Sequence, residues 1–588
     1  MKNTLLLSLG HNSSAIFVDN ETKKVIAYEQ ERIDKIKSSS AFPKGAIEEI
    51  IKNVGINKLH GANVCITHWY DNLTYTSVES DLKYNDNEYL KMLQGFGCTI
   101  VTHTPQFTHH DAHAWSAASF FKYHFLSGTC AGYDGKIHII VADGFGNKEE
   151  VVSIYELDFN EVTLEMSVKN VKKVYGYKNS LGLMYQYATS FVGMKENQDE
   201  YKFLGYESHI KEFFSEKDIT TIDLYVNDLV LRYNKLSYDT HTEPSLNNEF
   251  INVDTLNTVK KMFHREFELL TNSFGITDKT DFKTRVLIGY FIQQIVEKII
   301  TGIVYKLDIK NLIVAGGLFY NVKLNNKILK HTDGLFCAMP LAGDQGASIG
   351  FYEKNFSNFP WSDKLLWGKR DVSLKTFEET LGNLPNTYHF TNKEECAYFM
   401  AEKIINGEIV NLIQNKMEFG PRALCNTSSL FMPQQTLSET NNALNNRNEV
   451  MPLAPVMLKD NIDFFFGLDL PLLVIGSDEY MIVTYDYAQH VSYELYQGVM
   501  HKYPTEEKYS GRPQAITEDS LIKTLLEKMD IWNVKCLVNT SYNYHGFPIA
   551  YTLSDVAETH KRQLENKEAT DNVFVKNVSI NVVVYEEQ

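Results

Sequence analysis

The sequence predicts an α/β protein of more than one domain, and three observations carry that reading. At 588 residues the chain is too long for a single hydrophobic core. Short apolar runs of strand length recur, and each ends in glycine and aspartate: 137–142 before Asp143-Gly144, 312–315 before Gly316-Gly317, and 335–339 before Asp344. Two apolar rows at spacing four, Leu287-Phe291-Ile295-Ile299-Ile303 and Ile288-Ile292-Val296-Ile300-Val304, mark one long buried helix. Strands that repeatedly end in Gly/Asp loops predict a two-lobed fold whose ligand edge lies at the strands' C-terminal ends.

The first element is a strand at 5–9, followed by the polar turn Gly10-His11-Asn12-Ser13-Ser14 and a second strand at 15–18. Such a tip offers backbone N–H groups to a phosphate, although an ordinary hairpin explains it as well. Residues 25–28 form a third strand that delivers Glu29-Gln30-Glu31-Arg32, read here as a solvated, charged face.

The densest group of metal-competent side chains is Thr108-His109-His110-Asp111-Ala112-His113. On a helix His109 and His113 lie one turn apart on one face and can converge on a cation. A zinc protease would need Glu directly after the first His, where His110 stands. Asp344, in Pro340-Leu-Ala-Gly-Asp-Gln-Gly-Ala-Ser348, is the best third ligand. Asp143, at the mouth of the 137–142 strand, is a weaker acidic candidate, and Lys202 in Glu200-Tyr-Lys-Phe-Leu-Gly205 is a candidate phosphate contact. Residues 210–280 are polar and poor in motifs, which predicts a peripheral helical insertion, and 355–385 reads as a domain connection.

Beyond it a helix at 393–406 and a strand at 408–413 lead into Lys416-Met-Glu-Phe-Gly-Pro-Arg422. Arg447, Arg512 and the strand end Asn539-Thr-Ser541-Tyr-Asn543 follow. Loop cations beside a Ser/Asn-rich strand terminus suit a polyanionic ligand; scattered surface arginines are the plain alternative.

Composition restricts the classes. With 44% apolar and 22% charged residues the chain is globular, and a net charge of −17 speaks against a broad nucleic-acid footprint. Seven cysteines without a CxxC pair suggest neither disulfide framework nor zinc ribbon. No run of about 18 apolar residues predicts a transmembrane helix, so a cytoplasmic protein with no membrane partner is expected. Walker A, GxGxxG and GxSxG motifs are absent.

In collinear order, LGHNSSA, EQER with Phe42-Pro43, HHDAH, ADGFGN, EYKFLG, AGGLFYN, PLAGDQGA, EFGPRAL, PLAP and NTSYN with GFPIA cover nearly the whole chain. Together they resemble the O-carbamoyltransferase family of nodulation-factor and antibiotic carbamoylation. The resemblance implies an actin-like, sugar-kinase-type two-lobed domain (1–365) that transfers a carbamoyl group. It also implies an α+β YrdC-like domain (366–588) that makes carbamoyl adenylate from carbamoyl phosphate and ATP. His109, His113 and Asp344 fall on the family's metal ligands, for Fe2+, Mn2+ or Zn2+, with Mg2+ accompanying ATP. Asp143 falls on the acidic residue near that centre, and Gly316, Gly317 and Asn321 fall on the nucleotide loop. Lys416, Arg422, Arg447, Arg512, Ser541 and Asn543 fall on the YrdC-like pocket.

The implied acceptor is a hydroxyl on a sugar, antibiotic or other metabolite. A hydroxymethylated pyrimidine nucleotide or DNA comes second, prompted by the Asn-, Lys- and Tyr-rich composition and the basic stretch Lys169-Asn-Val-Lys-Lys173. A homodimer is compatible with this reading. The chain departs from the family pattern at Lys416, Cys425, Thr427 and Met451, which stand where a Gly and Args are usual, and at Tyr206-Glu207. Two other classes compete: an actin-like ATPase or kinase, which leaves EFGPRAL and NTSYN without a role, and a degenerate nucleotide-binding scaffold.

Overall fold

The expected N-terminal hairpin is present as β1 (Thr4–Ser8) and β2 (Ser14–Asp19), with β3 (Lys24–Glu29) antiparallel to β2. The structure is a computed structural model that describes residues 2–67, 88–102, 107–128, 135–239, 253–447, 453–467, 473–569 and 579–585. β4 (Asn63–Thr67) pairs parallel to β1, and β5 (Thr99–Thr102) parallel to β4, giving the order β3-β2-β1-β4-β5. Parallel neighbours need crossovers. Helix Lys44–Val54 lies between β3 and β4, and helix Glu88–Gly95 between β4 and β5.

A second sheet repeats the pattern. β6 (Ile137–Ala142), β7 (Glu150–Phe159) and β8 (Met166–Tyr175) run antiparallel, then β9 (Asn311–Ala315) and β10 (Leu335–Ala338) add parallel strands on the other side of β6. Read outward from β8, the order β8-β7-β6-β9-β10 matches that of the first sheet. The short strand Leu473–Val474 extends this sheet beyond β10, so a late segment of the chain completes an early layer.

Each five-strand unit is followed by a helix, His109–Leu126 after β5 and Asp344–Phe356 after β10. These two helices pack on each other at very close range. A Cβ placed on Gly350 would sit 1.8 Å from the Ala112 carbonyl oxygen, so only glycine permits the approach. The same Cβ would stand 2.7 Å from the Ser116 nitrogen, so the small residues Ala112 and Ser116 complete the contact. The result sets the N-terminal turns of both helices side by side.

The long apolar helix is Phe282–Lys306, buried along both predicted rows. By length and composition it could cross a membrane, which the sequence reading did not foresee, but 78% of its apolar window is buried in the protein core. The 210–280 region is helical as expected, with Glu216–Asp239 and Val253–Ser273, while 240–252 lies outside the described residues. It is not peripheral: Ile222, Val226, Phe263 and Phe267 are part of the core around the long helix.

The C-terminal half carries a seven-stranded mixed sheet. Its order is Thr387–Phe390, Ile580–Val584, Val410–Gln414, Thr427–Phe431, Leu537–Ser541, Ala454–Leu458 and Gln514–Ile516.

One expectation fails here for a physical reason. The Glu29–Arg32 stretch is not solvated: Arg32 is 1% exposed, donates two bonds to Glu29 Oε2 (3.1 and 2.9 Å) and a third to the Gly420 carbonyl at 2.7 Å. Its charges are therefore tied to the C-terminal half. The 355–385 stretch is partly packed: Phe359, Trp361 and Trp367 are buried, and Gly368–Lys369 pairs antiparallel with Lys416–Met417. The basic stretch 169–173 lies on edge strand β8, and Lys173 is bound to Asp111 and Glu150.

Candidate functional site

The close helix crossing brings His109 and His113 against Asp344, and the end of β6 adds Asp143. The His109 and His113 Nε2 atoms are 3.1 Å apart, and His109 Nε2 lies 3.1 Å from Asp143 Oδ2 and 3.3 Å from Asp344 Oδ1. His113 Nε2 is 3.4 Å from Asp143 Oδ2 and 3.6 Å from Asp344 Oδ1. All four side chains are buried. Ligands held about 2.1 Å from one ion are separated by roughly 3.0–3.4 Å, so this donor set, two imidazoles and two carboxylates, fits a divalent cation. Asp143 thus joins the ligand set, closer than the sequence placed it.

Electrostatics point the same way. Burial drives both carboxyls upward, but contact with the imidazoles outweighs it and holds Asp143 and Asp344 well below the usual carboxylate range. Burial would lower His109, yet Asp344 and Asp143 lift it to about 10. The cluster demands positive charge at its centre, which a metal or protons supply. His110, by contrast, faces Ser153 Oγ at 2.8 Å, and burial pushes it well below the ordinary range. It belongs to the support beneath the site. There Thr108 caps the helix in a reciprocal box with Asp111, and its hydroxyl donates to Glu150 at 2.9 Å.

One cavity of about 560 Å³ runs from this cluster to the C-terminal half. Asp143, Gly317 and Asn321 line one part of its wall, and Arg422, Arg447, Arg512, Ser541 and Asn543 another. Arg447 is fixed by neutral acceptors: Nη1 donates to Thr540 Oγ1 at 3.0 Å, and Nη2 to the Ser541 carbonyl at 2.7 Å and Asn543 Oδ1 at 2.8 Å. Arg422 lies over the Tyr320 ring, its carbon 5.9 Å from the centroid, and donates to the Tyr320 carbonyl at 3.4 Å. Among the described residues no carboxylate lies within ion-pair distance of Arg422, Arg447 or Arg512. Burial lowers all three, and Arg422 adds to the effect on Arg512, driving it well below its ordinary value. Three guanidiniums without an acid at one wall call for an anionic ligand.

Three candidates fall elsewhere. Lys202 is not on the cavity wall: its ammonium is 3% exposed as a residue and held by Asp199 at 2.7 Å. Gly316 has φ +95, and a Cβ there would stand 2.3 Å from the Ala142 carbonyl oxygen. It lets two strand ends meet rather than a ligand approach. Lys416 lies outside the cavity, on the short strand paired with Gly368–Lys369.

The departures also find places. Cys425 is fully buried at φ +70, a backbone region where glycine is usual, and Thr427 Oγ1 accepts from Arg370 at 2.7 Å and donates to Glu418 at 3.0 Å. Met451 lies outside the described residues.

Sequence reasoning did not pick out His11 as a group at this centre. Its Nε2 is 3.5 Å from Asp344 Oδ2, and it lines the cavity. The hairpin-tip motif held the signal, but only the fold brings that tip to the second lobe. Glu200 and Tyr201 also line the cavity, from the motif in which Lys202 alone was singled out.

A cavity joining a metal-competent cluster to an unpaired cationic wall is the layout of a group-transfer enzyme. Comparison narrows the class: residues 5–351 match the carbamoyltransferase N-terminus and residues 401–580 the carbamoyltransferase C-terminus. The chain belongs to the carbamoyltransferase family and is an enzyme that transfers carbamoyl groups. An uncharacterized protein of Methanocaldococcus jannaschii is 26% identical over 93% of this chain and 94% of its own length. Nodulation protein NolNO of Sinorhizobium fredii is 23% identical over 78% of the chain and 64% of its own length. A 3'-hydroxymethylcephem-O-carbamoyltransferase of Amycolatopsis lactamdurans is 25% identical over 29% and 31%.

Proposed function

We propose that the chain is an ATP-dependent O-carbamoyltransferase. Carbamoyl phosphate, ATP and one water react in the arginine-walled part of the cavity: the water takes phosphate off carbamoyl phosphate, and the carbamate so formed displaces pyrophosphate from the α-phosphate of ATP to give carbamoyl adenylate. The carbamoyl group then passes to an alcohol near the His109/His113/Asp143/Asp344 cluster, and AMP leaves.

The single observation that carries this reading is that both sets of residues line or adjoin one cavity. A carbamoyl adenylate is labile in water, so a shared enclosure protects it between the two steps. Arg422, Arg447 and Arg512 bind and neutralise the phosphates of both donors, removing the repulsion between them before reaction. Ser541 and Asn543 fix the Arg447 fork in its orientation. A divalent ion held by the two histidines and two aspartates would supply charge stabilisation at a phosphate or carbonyl oxygen.

The repeated strand order supports two actin-like lobes in residues 1–365. The seven-stranded sheet of 366–588 takes the YrdC-like, adenylate-forming role. Carbamoyl transfer, rather than kinase chemistry, gives the arginine wall a purpose. We favour a small-molecule alcohol as acceptor, because Lys173, the half-buried end of the basic stretch, is already paired with acids.

The test offers ATP, carbamoyl phosphate and a panel of metabolite alcohols plus hydroxymethylcytosine DNA to the full-length protein. Mass spectrometry follows a carbamoyl increase that requires both donors. Phosphoryl transfer to the alcohol in place of carbamoylation overturns the reading, and efficient DNA modification that weakens steeply with salt overturns the acceptor order.

A further inference from the structure

Resting on the carbamoyl adenylate reading, we propose that Glu200 is the general base that takes the proton of the acceptor hydroxyl.

The argument begins with the acids available. Among the described residues, the carboxylates lining the cavity are Glu29, Glu31, Asp143, Glu196 and Glu200. Glu29 is taken by Arg32 and by the Gly420 N–H. Glu31 accepts from the Ser38 N–H at 2.7 Å and lies 3.8 Å from the Arg32 Nε. Asp143 faces the two histidines, and Glu196 is ion-paired with Lys260. Glu200 accepts at Oε1 from the Asn197 N–H at 2.7 Å and has no cation within ion-pair distance among the described residues. A carboxylate positioned by a backbone amide, with no charge partner to quench its basicity, is suited to accept a proton.

Its place on the wall is also right. The helix Leu181–Phe191 begins against Asp143: a Cβ on Gly182 would lie 2.8 Å from the Asp143 carbonyl oxygen and the Gly144 nitrogen. Tyr185 and Gln186 follow one turn later, about 5 Å along the axis, on the same cavity wall. Glu200 lines the same cavity as Tyr185 and Gln186. The alcohol then sits in the cavity that Asp143 and Glu200 both line. Burial pushes the Glu200 carboxyl up to about 7, against the pull of its amide contacts, which suits proton exchange near neutrality.

The step balances without another reactant. The alcohol O–H bond breaks and its proton passes to a Glu200 carboxylate oxygen, while the alcohol oxygen bonds to the carbamoyl carbon. The bond from that carbon to the adenylate oxygen breaks, AMP leaves with the electron pair, and Glu200 returns its proton to solvent.

Ethanol and 2,2,2-trifluoroethanol serve as acceptor probes for the full-length enzyme with ATP and carbamoyl phosphate. The readout is carbamate ester formed per pyrophosphate released. In Glu200→Gln this ratio falls by roughly 10²–10⁴ with ethanol, the scale for losing a positioned base. It falls distinctly less with trifluoroethanol, whose more acidic hydroxyl needs less help. In the wild type the ratio rises with pH through about 7, since only the carboxylate form accepts a proton, and Glu200→Gln loses that rise. Formate restores part of the ratio in Glu200→Ala. A ratio that does not move, or that falls equally for both alcohols with the pH response intact, overturns the assignment. Failure of the wild type to release pyrophosphate from the two donors strikes the adenylate reading instead.

Discussion

The two ends of the cavity handle charge in opposite ways. At the histidine end, imidazoles and carboxylates answer one another at 3.1–3.6 Å, and the set closes once a cation is added. At the arginine end, Arg422, Arg447 and Arg512 share one sign; Arg447 meets carbonyls, hydroxyls and an amide oxygen, and Arg422 meets the Tyr320 carbonyl and ring. Neutral acceptors orient a guanidinium without cancelling its charge, so that wall keeps its field for a ligand. The difference teaches that the cavity is polarised along its length: one end gathers donors that could hold a cation, and the other gathers like positive charges.

The largest effect should come from breaking the histidine end. His113→Ala removes a donor from the cluster, and we expect metal content to drop and carbamoyl transfer to fall by roughly 10³, the equivalent of several kcal/mol of lost charge stabilisation. Metal analysis by mass spectrometry alongside transfer assays checks both; full transfer in a metal-free variant refutes the assignment. Next comes the arginine end. Arg422→Ala should depress pyrophosphate release by roughly 10²–10³, the scale for one preorganised donor. Asp344→Ala should depress that half-reaction far less than it depresses transfer. Equal losses in both variants would show that the ends do not act separately.

How far the sequence foretold this contrast depends on how local each feature is. His109 and His113 are one helical turn apart, and Asp344 opens a helix after a glycine, so both were legible from spacing. The contact of His11 with Asp344 was not, because it joins a hairpin tip to a residue 333 positions later through the fold alone. Glu29 and Arg32 looked like a solvated charge run, since sequence cannot show that a partner, the Gly420 carbonyl, arrives from the other half. Strand β8 went unread for a simpler reason: it is an edge strand with Lys169, Asn170 and Val171 exposed, and it lacks the alternating apolar pattern that marks half-buried strands. The strands β1 and β9 are buried at every position and β6 at every position but His138, so their apolar runs were plain.

A smaller perturbation tests how the histidine end is assembled. Gly350→Ala places a methyl where the Ala112 carbonyl oxygen now stands 1.8 Å away, and the two helices must separate to admit it. Overpacking of this kind costs about 1–3 kcal/mol. We expect a lower thermal midpoint together with weaker metal retention, because the same shift parts Asp344 from His109 and His113. A variant that loses stability but binds metal as tightly as the wild type would show that the cluster does not depend on this crossing.

The smallest effect should fall at Lys416, and it sharpens where the arginine end stops. The resemblance to the family puts this residue in the donor pocket, but its side chain is off the cavity wall. What the position supplies is backbone: its carbonyl accepts from Asn426 Nδ2 at 3.2 Å and from Arg370 Nη2 at 3.4 Å, and it pairs with Lys369 in a two-strand ladder. Arg370 also takes the Gln414, Asn426 and Ala550 carbonyls, so it is Arg370 that braces both legs of the loop carrying Arg422. Lys416→Met keeps every one of those bonds and removes only an ammonium. The KM for carbamoyl phosphate and for ATP should change by no more than about twofold, the range of a substitution away from the working features. A rise of tenfold or more in either KM, with pyrophosphate release at saturation unchanged, would extend the cationic wall to Lys416 and move the boundary between the two ends of the cavity.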